Sequence, residues 1–297
     1  MDIYLLVLMS LYCIVAILFS PWIPDWWVIV LSDVGIAAAL AGIVAVYTDA
    51  SPRWMKAVRL FYVIPLVYPM YNHTQILVPK LNWWLFDHAL IWLDHFLFGL
   101  HPTQALQGIS IPALTEYLQF TYITFYLLPC IHVAVLYYQR RDDEVIEFGR
   151  MMVFAYFLSY LAYFAFPAVG PRFFLHDFSA TDTELPGLFL TNTLRQFVNA
   201  GGGLESYSAN PIWSVNRDCM PSGHTMMTLV NIILAWRYKT NVKWLITIIG
   251  VSLIFSTVYL RYHYVVDVIA GVVCAFAVLP LEPKVHAWML RHKIIQY

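Results

Sequence analysis

Pro221-Ser222-Gly223-His224 and His263-Tyr264-Val265-Val266-Asp267 are the two stretches that decide the fold and the chemistry expected of this chain. Each places a histidine at the edge of a strongly apolar segment, and the second adds a carboxylate four residues after its histidine. Residues four apart on a helix share one face, with Cβ atoms about 5–6 Å apart. We therefore expect Asp267 to hold one ring nitrogen of His263 and to leave the other free to react. Two histidines, one of them oriented by an acid, supply a nucleophile and a proton donor.

The composition is that of a membrane protein. Of 297 residues, 61% are hydrophobic and only 12% are charged, and the mean hydropathy is +0.66. Soluble domains carry about 25% charged residues, so the length is better divided into roughly eight spans of about 20 residues each. The net charge of −1 gives no reason to expect nucleic acid as a partner. The four cysteines lack the spacing of a metal site or a disulfide framework, and no catalytic role is expected for Cys219.

The apolar segments predict an all-α, polytopic membrane protein with about eight transmembrane helices. The third of them is interrupted by Pro65, Pro69, Asn72 and His73, and the last two adjoin closely enough to share a tight turn. An even number of spans puts both termini on one side of the membrane. The predicted spans are residues 3–20, 26–47, 60–78, 112–137, 150–168, 223–238, 244–261 and 264–282.

The distribution of basic residues predicts the orientation. Cytoplasmic loops carry an excess of lysine and arginine, and twelve basic residues fall on one side of the predicted path against five on the other. We therefore expect both termini in the cytoplasm and both histidine motifs on the face toward the periplasm, the exterior or an organelle lumen. The larger group is Arg53, Lys56, Arg59, Arg140, Arg141, Arg150, Arg237, Lys239, Lys243, Lys284, Arg291 and Lys293, and the smaller is Lys80, Arg172, Arg195, Arg217 and Arg261.

Two further segments are too polar to span the membrane. Residues 83–99 combine three tryptophans with charged side chains and end at Gly99, which predicts a helix at the membrane–water interface. Residues 169–221 form the longest polar segment and lead directly into Pro221-Ser222-Gly223-His224. A loop of this length beside the motif is predicted to carry function.

Several groups on the face of the two histidines suit an anion. Arg172 offers paired donors to a phosphate or a carboxylate, although pairing with lipid headgroups explains an interfacial arginine equally well. Ser222 and the amides that follow Gly223 stand at a helix start, where the dipole favours negative charge. The alternative interpretations are structural: a capping turn for the tetrapeptide, and a pair that joins two helices for His263 and Asp267.

Taken in order, these residues resemble the type 2 phosphatidic acid phosphatase superfamily. The resemblance implies that His263 is the nucleophile, that Asp267 orients it, and that His224 protonates the leaving oxygen, without a metal or any other cofactor. The second motif of the family, Pro-Ser-Gly-His, is matched at Ser222, Gly223 and His224. The third, Ser-Arg, five residues, His, three residues, Asp, is matched at Ser256, His263 and Asp267.

The match departs from the family pattern in its cations. Thr257 stands where the third motif has arginine, and Pro171-Arg172 replaces the Arg-Pro of a first motif that also lacks its lysine. Phosphate binding is therefore expected to rest on Arg172, Arg261 and Arg217, together with Ser222 and Gly223.

The missing third-motif arginine is similar to the inositol phosphorylceramide synthase branch of the superfamily. Leu93-Asp94-His95-Phe96-Leu97-Phe98-Gly99, the segment of residues 117–126 and the segment of residues 166–174 are also similar to that branch. The resemblance covers about residues 60–283, which we expect to form a six-helix catalytic core containing the interfacial helix and the active-site loop. Residues 1–59 would add two accessory transmembrane helices, and residues 284–297 a cytoplasmic tail.

The implied function is that of an integral membrane lipid phosphatase or phospho-headgroup transferase that works through a phosphohistidine. Its partners would be the bilayer, a phospholipid or lipid phosphate as substrate and, for transfer, a lipid alcohol or inositol as acceptor. Three alternatives stay open. A non-catalytic lipid-binding or transport protein on the same fold fits the altered arginines, and a metal-dependent hydrolase would use His224, His263 and Asp267 as ligands. A serine hydrolase built on Ser222 lacks the nucleophile-elbow context.

Overall fold

Helices form all the regular structure in the computed structural model, which describes residues 1–48, 50–204 and 211–295. Residues 205–210 of the predicted active-site loop and residues 296–297 of the predicted tail lie outside the described residues. The α-helices are α1 Asp2–Leu18, α2 Trp26–Val46, α3 Arg53–Phe61, α4 Val63–Leu81, α5 Asp87–Phe98, α6 Pro102–Ala105, α7 Pro112–Ile123, α8 Leu127–Tyr138, α9 Asp142–Ala165, α10 Thr181–Glu184, α11 Thr191–Gly201, α12 Pro211–Ser214, α13 Gly223–Arg237, α14 Lys243–Tyr259 and α15 Val265–Arg291. Single 3-10 turns cover Ser20–Trp22, Leu106–Ile109, Pro171–Phe173 and Phe178–Ala180.

Three helices are long and apolar enough to cross a membrane by themselves: α2, α9 and α15. A fourth span is possible if α7 and α8, which meet at an angle of 53°, count as one broken span. The shorter apolar helices α1 and α14 have 17 residues each. The all-helical prediction is confirmed for the described residues, and the three long apolar helices are consistent with a membrane protein, but eight spans are not confirmed.

Local features of the helices interrupt or shorten several of the predicted spans. Helix α13 has 15 residues, so at 1.5 Å per residue it is about 22 Å long, against a hydrocarbon core of about 30 Å. The predicted span 112–137 breaks after Ile123, and α4 contains Pro69 and Pro79. A hydropathy window averages over such breaks and does not detect them.

Helix α13 lies at the centre of the bundle, packed against α8, α9, α14 and α15. Buried side chains lie on every face of α13, Met226, Met227 and Ile232 among them. Such a helix needs no charged side, and its sequence has no Asp, Glu, Lys or Arg before Arg237. The burial of α13 fixes its first turn, where Pro221-Ser222-Gly223-His224 is located, relative to the neighbouring helices.

Helix α15 approaches the start of α13 closely at Gly271. A Cβ atom on Gly271 would lie 2.6 Å from the backbone oxygen of Ser222, so only glycine fits there without a backbone shift. The amide of Ser222 also donates to the backbone oxygen of Asp267, at 3.1 Å. The two histidine motifs are therefore joined through their backbones.

Helix α5 takes the place of the predicted interfacial helix and ends at Gly99, which has a left-handed φ of 68°. Trp92 and Phe96 stack on each other on its exposed side, with ring centroids 5.2 Å apart. Asp87 and Asp94 are fully buried on the opposite side. The helix thus presents aromatic rings outward and carboxylates toward the interior of the protein.

The two helices that precede the core are joined to it by buried polar contacts. The carboxylate of Asp33 on α2 lies 3.1 Å from Nδ1 of His73 on α4, and Ser32 lies 3.1 Å from the other ring nitrogen. Tyr12 on α1 hydrogen-bonds to Thr74 on α4 at 2.5 Å. Polar pairs in an apolar surrounding have few alternative partners, so they specify how α1 and α2 pack against α4.

Candidate active site

His263 occupies the turn between α14 and α15, where its ring is held from one side by Asp267. The Nδ1 atom lies 3.0 Å from Asp267 Oδ1, consistent with an Nδ1–H that donates to the carboxylate. The spacing of four predicted both residues on one helix, but α15 begins only at Val265. Asp267 reaches back from the first turn of α15, and its Oδ2 accepts the amide of Tyr264 at 2.8 Å. The spacing of four therefore works through an N-terminal cap and not through a continuous helix face.

His224 meets His263 from the first turn of α13. Its Nδ1 lies 3.4 Å from Nε2 of His263, the nitrogen that Asp267 leaves free. Two aromatic rings hold the imidazole of His224: Tyr122 stacks on it with centroids 4.7 Å apart, and Phe125 lies 4.3 Å away. Tyr122 lies in the last turn of α7, and Phe125 lies in the break between α7 and α8. The break in that helix therefore places aromatic side chains against a histidine.

Both histidines line a cavity of about 150 Å³, and Arg172 lines it with them. Arg172 is 7% exposed, and its guanidinium carbon lies 4.7 Å from the ring centre of Phe173 and 5.0 Å from that of Tyr262. Burial lowers the pKa of Arg172 from its ordinary value. One of its nitrogens donates to Asn199 at 2.9 Å, and its Nε has no partner among the described residues. A cation with free donors beside two histidines is suited to an anionic ligand.

The comparisons with known proteins give the family of this chain. The sequence profile of the PAP2 superfamily matches residues 88–281. The chain belongs to the PAP2 superfamily. Membership indicates a phosphatase-type enzyme, a phosphatase or a phosphotransferase. Neither the comparison with curated proteins nor the comparison with solved structures gave a match.

The PAP2 match leaves open which residues bind phosphate, and the three predicted arginines occupy different surroundings. Arg172 lines the cavity, whereas Arg261 and Arg217 are not among its described lining residues. Arg261 is fully buried, has a left-handed φ of 65° and forms an ion pair with Glu184. Arg217 donates to the backbone oxygen of Asn82. Of the predicted cations, the structure thus brings only Arg172 together with the histidines.

Ser222 and Gly223 of the second PAP2 motif form the start of α13. Ser222 is fully buried and caps that helix, because its hydroxyl accepts the amide of Thr225 at 3.2 Å. Gly223 packs against Tyr163, whose hydroxyl would lie 2.6 Å from an added Cβ atom. Neither residue is among the described residues that line the cavity. Ser222 therefore caps α13 in this structure, and contact of Ser222 and Gly223 with phosphate stays a prediction.

At the third PAP2 motif, Thr257 takes the place of arginine and is fully buried in α14. Its hydroxyl donates to the backbone oxygen of Ile254 at 2.7 Å. Its own backbone oxygen accepts the amides of Tyr262 and His263, at 2.9 and 3.0 Å. The position therefore stabilises the turn that carries His263, and its side chain is not among the described groups that line the cavity.

Cys219 lies closer to the histidine pair than its sequence context suggested. Its Sγ donates to Asp267 Oδ2 at 2.8 Å and lies 3.6 Å from Nδ1 of His263. Burial raises the pKa of the Cys219 thiol well above its ordinary value, so the thiol stays protonated and acts as a donor. Cys219, His263 and Asp267 are also the group of described residues whose ligand atoms could converge on a metal ion. The metal-dependent alternative predicted a different set of ligands, namely His224, His263 and Asp267.

An acidic group shares the cavity with the predicted phosphate site. Asp218 lines it and accepts a hydrogen bond from the hydroxyl of Tyr71 at 2.5 Å. Asn216, also in the lining, donates to the same hydroxyl at 2.7 Å. Carboxylate, phenol and amide groups together suit the hydroxyl groups of a ligand better than they suit a second phosphate. No motif in the sequence indicated these three residues.

Asp87 and Asp94 of α5 hold the two loops that flank the histidine pair. Asp87 accepts the amides of Val169 and Gly170, at 3.0 and 2.9 Å, and the hydroxyl of Tyr264 at 3.0 Å. Asp94 accepts the amide of Val265 at 3.1 Å and that of the next residue at 2.8 Å. Burial raises the pKa of Asp87 to about 6. The sequence did contain a sign of this role. Asp87 and Asp94 are seven residues apart on an apolar helix, and that spacing puts both carboxylates on one face.

Gly170 completes the link between the loops. Its φ is 101°, in the region that favours glycine, and a Cβ atom there would lie 2.5 Å from the backbone oxygen of Tyr262. The amide of Arg172 donates to the backbone oxygen of Arg261 at 3.1 Å. The loop that carries Arg172 therefore rests directly on the turn that carries His263.

Replacing Asp94 by asparagine is expected to lower kcat by up to about 100-fold and to leave KM nearly unchanged. An amide accepts poorly at its nitrogen, so one of the two amides after His263 loses its partner and the nucleophile shifts, and a misplacement of about 1 Å has this scale of effect. Steady-state kinetics of purified protein gives both constants. Asp143→Asn, an exposed acid in the first turn of α9, is the matched control. A wild-type kcat in Asp94→Asn would contradict the positioning role.

Proposed function

We propose that this protein is an integral membrane lipid phosphatase or phospho-headgroup transferase that works through a phosphohistidine at His263. The observation that carries the proposal is the pair of facing nitrogens: His263 Nε2 is 3.4 Å from His224 Nδ1, while His263 Nδ1 is bound to Asp267. A histidine held at one nitrogen and open at the other is the arrangement that nucleophilic catalysis requires. PAP2 membership supports the same class of reaction.

The proposed first step is attack of the His263 Nε2 lone pair on phosphorus. A nitrogen–phosphorus bond forms, the bond from phosphorus to the leaving oxygen breaks, and His224 donates a proton to that oxygen. His224 enters the first step as the imidazolium and leaves it as the neutral imidazole. In the second step, water or an alcohol gives its proton to His224, which restores the imidazolium, and attacks the phosphohistidine, which regenerates neutral His263. Arg172, Ser222, Gly223, Arg261 and Arg217 remain the proposed phosphate-binding residues, and the position of Arg172 in the cavity makes it the first of these to test. Fixed donors of this kind stabilise charge on the equatorial oxygens.

Transfer is supported by one observation beyond the histidine pair. Asp218, Tyr71 and Asn216 form a hydrogen-bonded group in the cavity lining. A hydroxylated acceptor, such as inositol or a lipid alcohol, matches those groups. Together with Thr257 at the third motif, this favours the inositol phosphorylceramide synthase-like branch of the superfamily as the finer assignment that we propose.

The membrane arrangement that we propose has both termini in the cytoplasm and the histidine pair on the extracytoplasmic side. It rests on the excess of basic residues on one side of the chain, because cytoplasmic loops are the ones enriched in lysine and arginine. Residues 60–283 would form the catalytic core, residues 1–59 the accessory helices and residues 284–297 a cytoplasmic tail. Labelling of single introduced cysteines by an impermeant reagent in sealed vesicles tests the orientation.

A substrate panel is the experiment that tests the activity. Purified protein is incubated with phospholipids and lipid phosphates labelled at phosphorus, with and without diacylglycerol, ceramide or inositol, and released phosphate is measured against transferred headgroup. Release alone identifies a phosphatase, and an acceptor-dependent lipid product identifies a transferase. Binding of the lipid with neither product would favour the non-catalytic alternative. Loss of activity on chelation, restored by a divalent metal, would favour the metal-dependent hydrolase.

Replacing Asp267 by asparagine is expected to lower kcat by about 100-fold and to move the acidic limb of the pH profile to lower pH. Burial by itself lowers the pKa of His263, but the charge of Asp267 and its hydrogen bond outweigh burial and leave that pKa raised. His263 attacks only when Nε2 is unprotonated, so wild-type activity declines as the pH falls through the raised pKa. Without the charge of Asp267, burial is opposed only by the weaker effects of Asp218 and the backbone of Cys219, so the pKa falls and the decline begins at lower pH. The expected fall in kcat has a different cause: His263 is still present, but without Asp267 its ring is no longer held in the reactive orientation.

The measurement is kcat/KM as a function of pH for both proteins. Cys219→Ser, which keeps a donor to Asp267 and retains the carboxylate, is the matched control and should keep the wild-type limb. An acidic limb that stays at the same pH in Asp267→Asn would show that His263 does not set it.

A further inference from the structure

The loop between α10 and α11 presents large apolar side chains to the outside of the protein. Leu188, Phe189 and Leu190 are exposed, and Phe189 is 88% exposed. Residues 185–194 contain no charged side chain. Exposed apolar residues are ordinarily scattered singly, and a run of them has a functional reason. The three consecutive residues Leu188–Leu190 therefore indicate a contact surface, which we call the loop patch.

One carboxylate takes up the backbone amides of the loop patch. Glu116 on α7 accepts the amides of all three patch residues, at 3.1, 3.3 and 2.7 Å in chain order. It also accepts the amide and the hydroxyl of Thr191, at 3.0 and 2.5 Å. Water satisfies such amides in a solvated loop, whereas an amide that enters a membrane needs an acceptor within the protein. The loop patch therefore has the backbone arrangement that a loop needs when its amides leave water.

The loop patch is connected through α7 to the outer face of α14. Leu188 and Leu190 form a groove of about 290 Å³ with Tyr117 and Phe120, which are exposed residues of α7. The hydroxyl of Tyr117 lies 2.7 Å from that of Ser252 on α14. The exposed apolar surface thus extends from the loop patch across α7 to α14.

The outer face of α14 is suited to contact with lipid. This apolar helix has no charged residue after Lys243. Ile248, Val251 and Phe255 lie on the same side of α14 as Ser252, and all three are exposed. A continuous apolar surface that joins such a helix face to a loop patch favours one shared partner, the bilayer, over separate partners for each.

Helix α11 follows the loop patch and has one apolar and one polar side. Leu194 lines the groove and Phe197 lines the histidine cavity. Asn192 and Gln196, on the opposite side, are exposed. A helix with this division is typical of the membrane–water interface. The same helix is therefore in a position to touch the membrane and to form a wall of the histidine cavity.

We infer that the loop patch binds the lipid bilayer, in the leaflet on the side of the histidine pair. Its side chains enter the boundary between headgroups and acyl chains, and Glu116 supplies the acceptors that water would otherwise provide. The inference goes beyond the proposed function and does not depend on it, because a protein without catalytic activity would make the same contact. Since α11 begins at the loop patch, the bilayer would also hold one wall of the histidine cavity in place.

The test is photolabelling of wild-type protein in phosphatidylcholine vesicles that contain a phosphatidylcholine with a diazirine near the glycerol end of one acyl chain. Labelled residues are mapped by mass spectrometry. The expected result is label on the loop patch together with label on Val251 or Phe255 of α14. Label on α14 with none on the loop patch overturns the inference. Chemical crosslinks between the loop patches of two chains would in that case identify a second copy as the partner.

A variant pair tests the contribution of the central ring. Phe189→Asp is expected to lower the ratio of label on Leu188 and Leu190 to label on Phe255 by about tenfold or more, the scale of losing one buried phenylalanine ring. Gln196→Asp is the matched control, because Gln196 is exposed on the polar side of α11 and outside the groove lining. Its ratio should equal that of the wild type. An unchanged ratio in Phe189→Asp overturns the inference, and where that variant does not insert, which loss of the Phe255 label reveals, the wild-type labelling decides.

Discussion

Replacing His263 by alanine is expected to reduce turnover by about 10⁶-fold, to the background rate, and to abolish covalent labelling by a substrate labelled at phosphorus. Loss of a nucleophile has an effect of this size because no other group can take its place in the reaction. Here the neighbours of Nε2 offer no substitute. His224 faces His263 across 3.4 Å but has no carboxylate partner of its own among the described residues, and its ring is held between Tyr122 and Phe125.

The measurement combines initial rates with quenched labelling of purified protein. Labelled wild-type protein should lose its label in acid, as a phosphohistidine does, and the labelled peptide should contain residue 263. His292→Ala, an exposed histidine near the end of α15, is the control and should turn over and label like the wild type. Retained turnover in His263→Ala would refute the assignment of the nucleophile.

Replacing His224 by alanine is expected to lower kcat by about 10³- to 10⁴-fold for an alkyl phosphate ester. This is the upper part of the range found for removal of a general acid. The effect should depend on the leaving group. An alkoxide requires a proton as it departs, whereas the phenolate of p-nitrophenyl phosphate departs without one, so that substrate should recover most of the lost rate in the first step.

A label-accumulation experiment separates the two roles proposed for His224. With p-nitrophenyl phosphate, His224→Ala should form the phosphohistidine but release it slowly, because the residue that deprotonates water or the acceptor is missing. The labelled fraction at steady state should therefore exceed that of the wild type. Equal losses for both leaving groups, with no accumulation of label, would show that His224 positions the substrate and does not transfer the proton.

The contact between His263 and Asp267 could be expected from the sequence, because residues four apart can neighbour each other on a helix or through a cap. The cap itself, in place of a continuous helix, was not expected. The apolar composition likewise predicted a helical membrane protein. The all-helical architecture is confirmed for the described residues, and PAP2 membership is confirmed over residues 88–281.

Features that depend on distant partners were beyond prediction from one sequence. The ion pair of Arg261 with Glu184 joins residues 77 positions apart, and nothing near either residue in the chain indicates it. The donation from Cys219 to Asp267 spans 48 positions. The contacts of Asp87 and Asp94 reach loops 82 and 171 positions away. The eight predicted spans, finally, rested on averages that cannot detect the break after Ile123.

The backbone contact between Gly271 and Ser222 has a consequence for how enzymes of this design can diversify. The backbone segments that carry the two histidines are joined by main-chain groups: the amide of Ser222 on the oxygen of Asp267, and the close approach at Gly271. Neither contact uses the side chain of Thr257. Arginine can therefore give way to threonine at position 257 while the two segments keep their relative position. The residues that hold the reactive histidines and the residues that select the substrate can therefore change independently of each other.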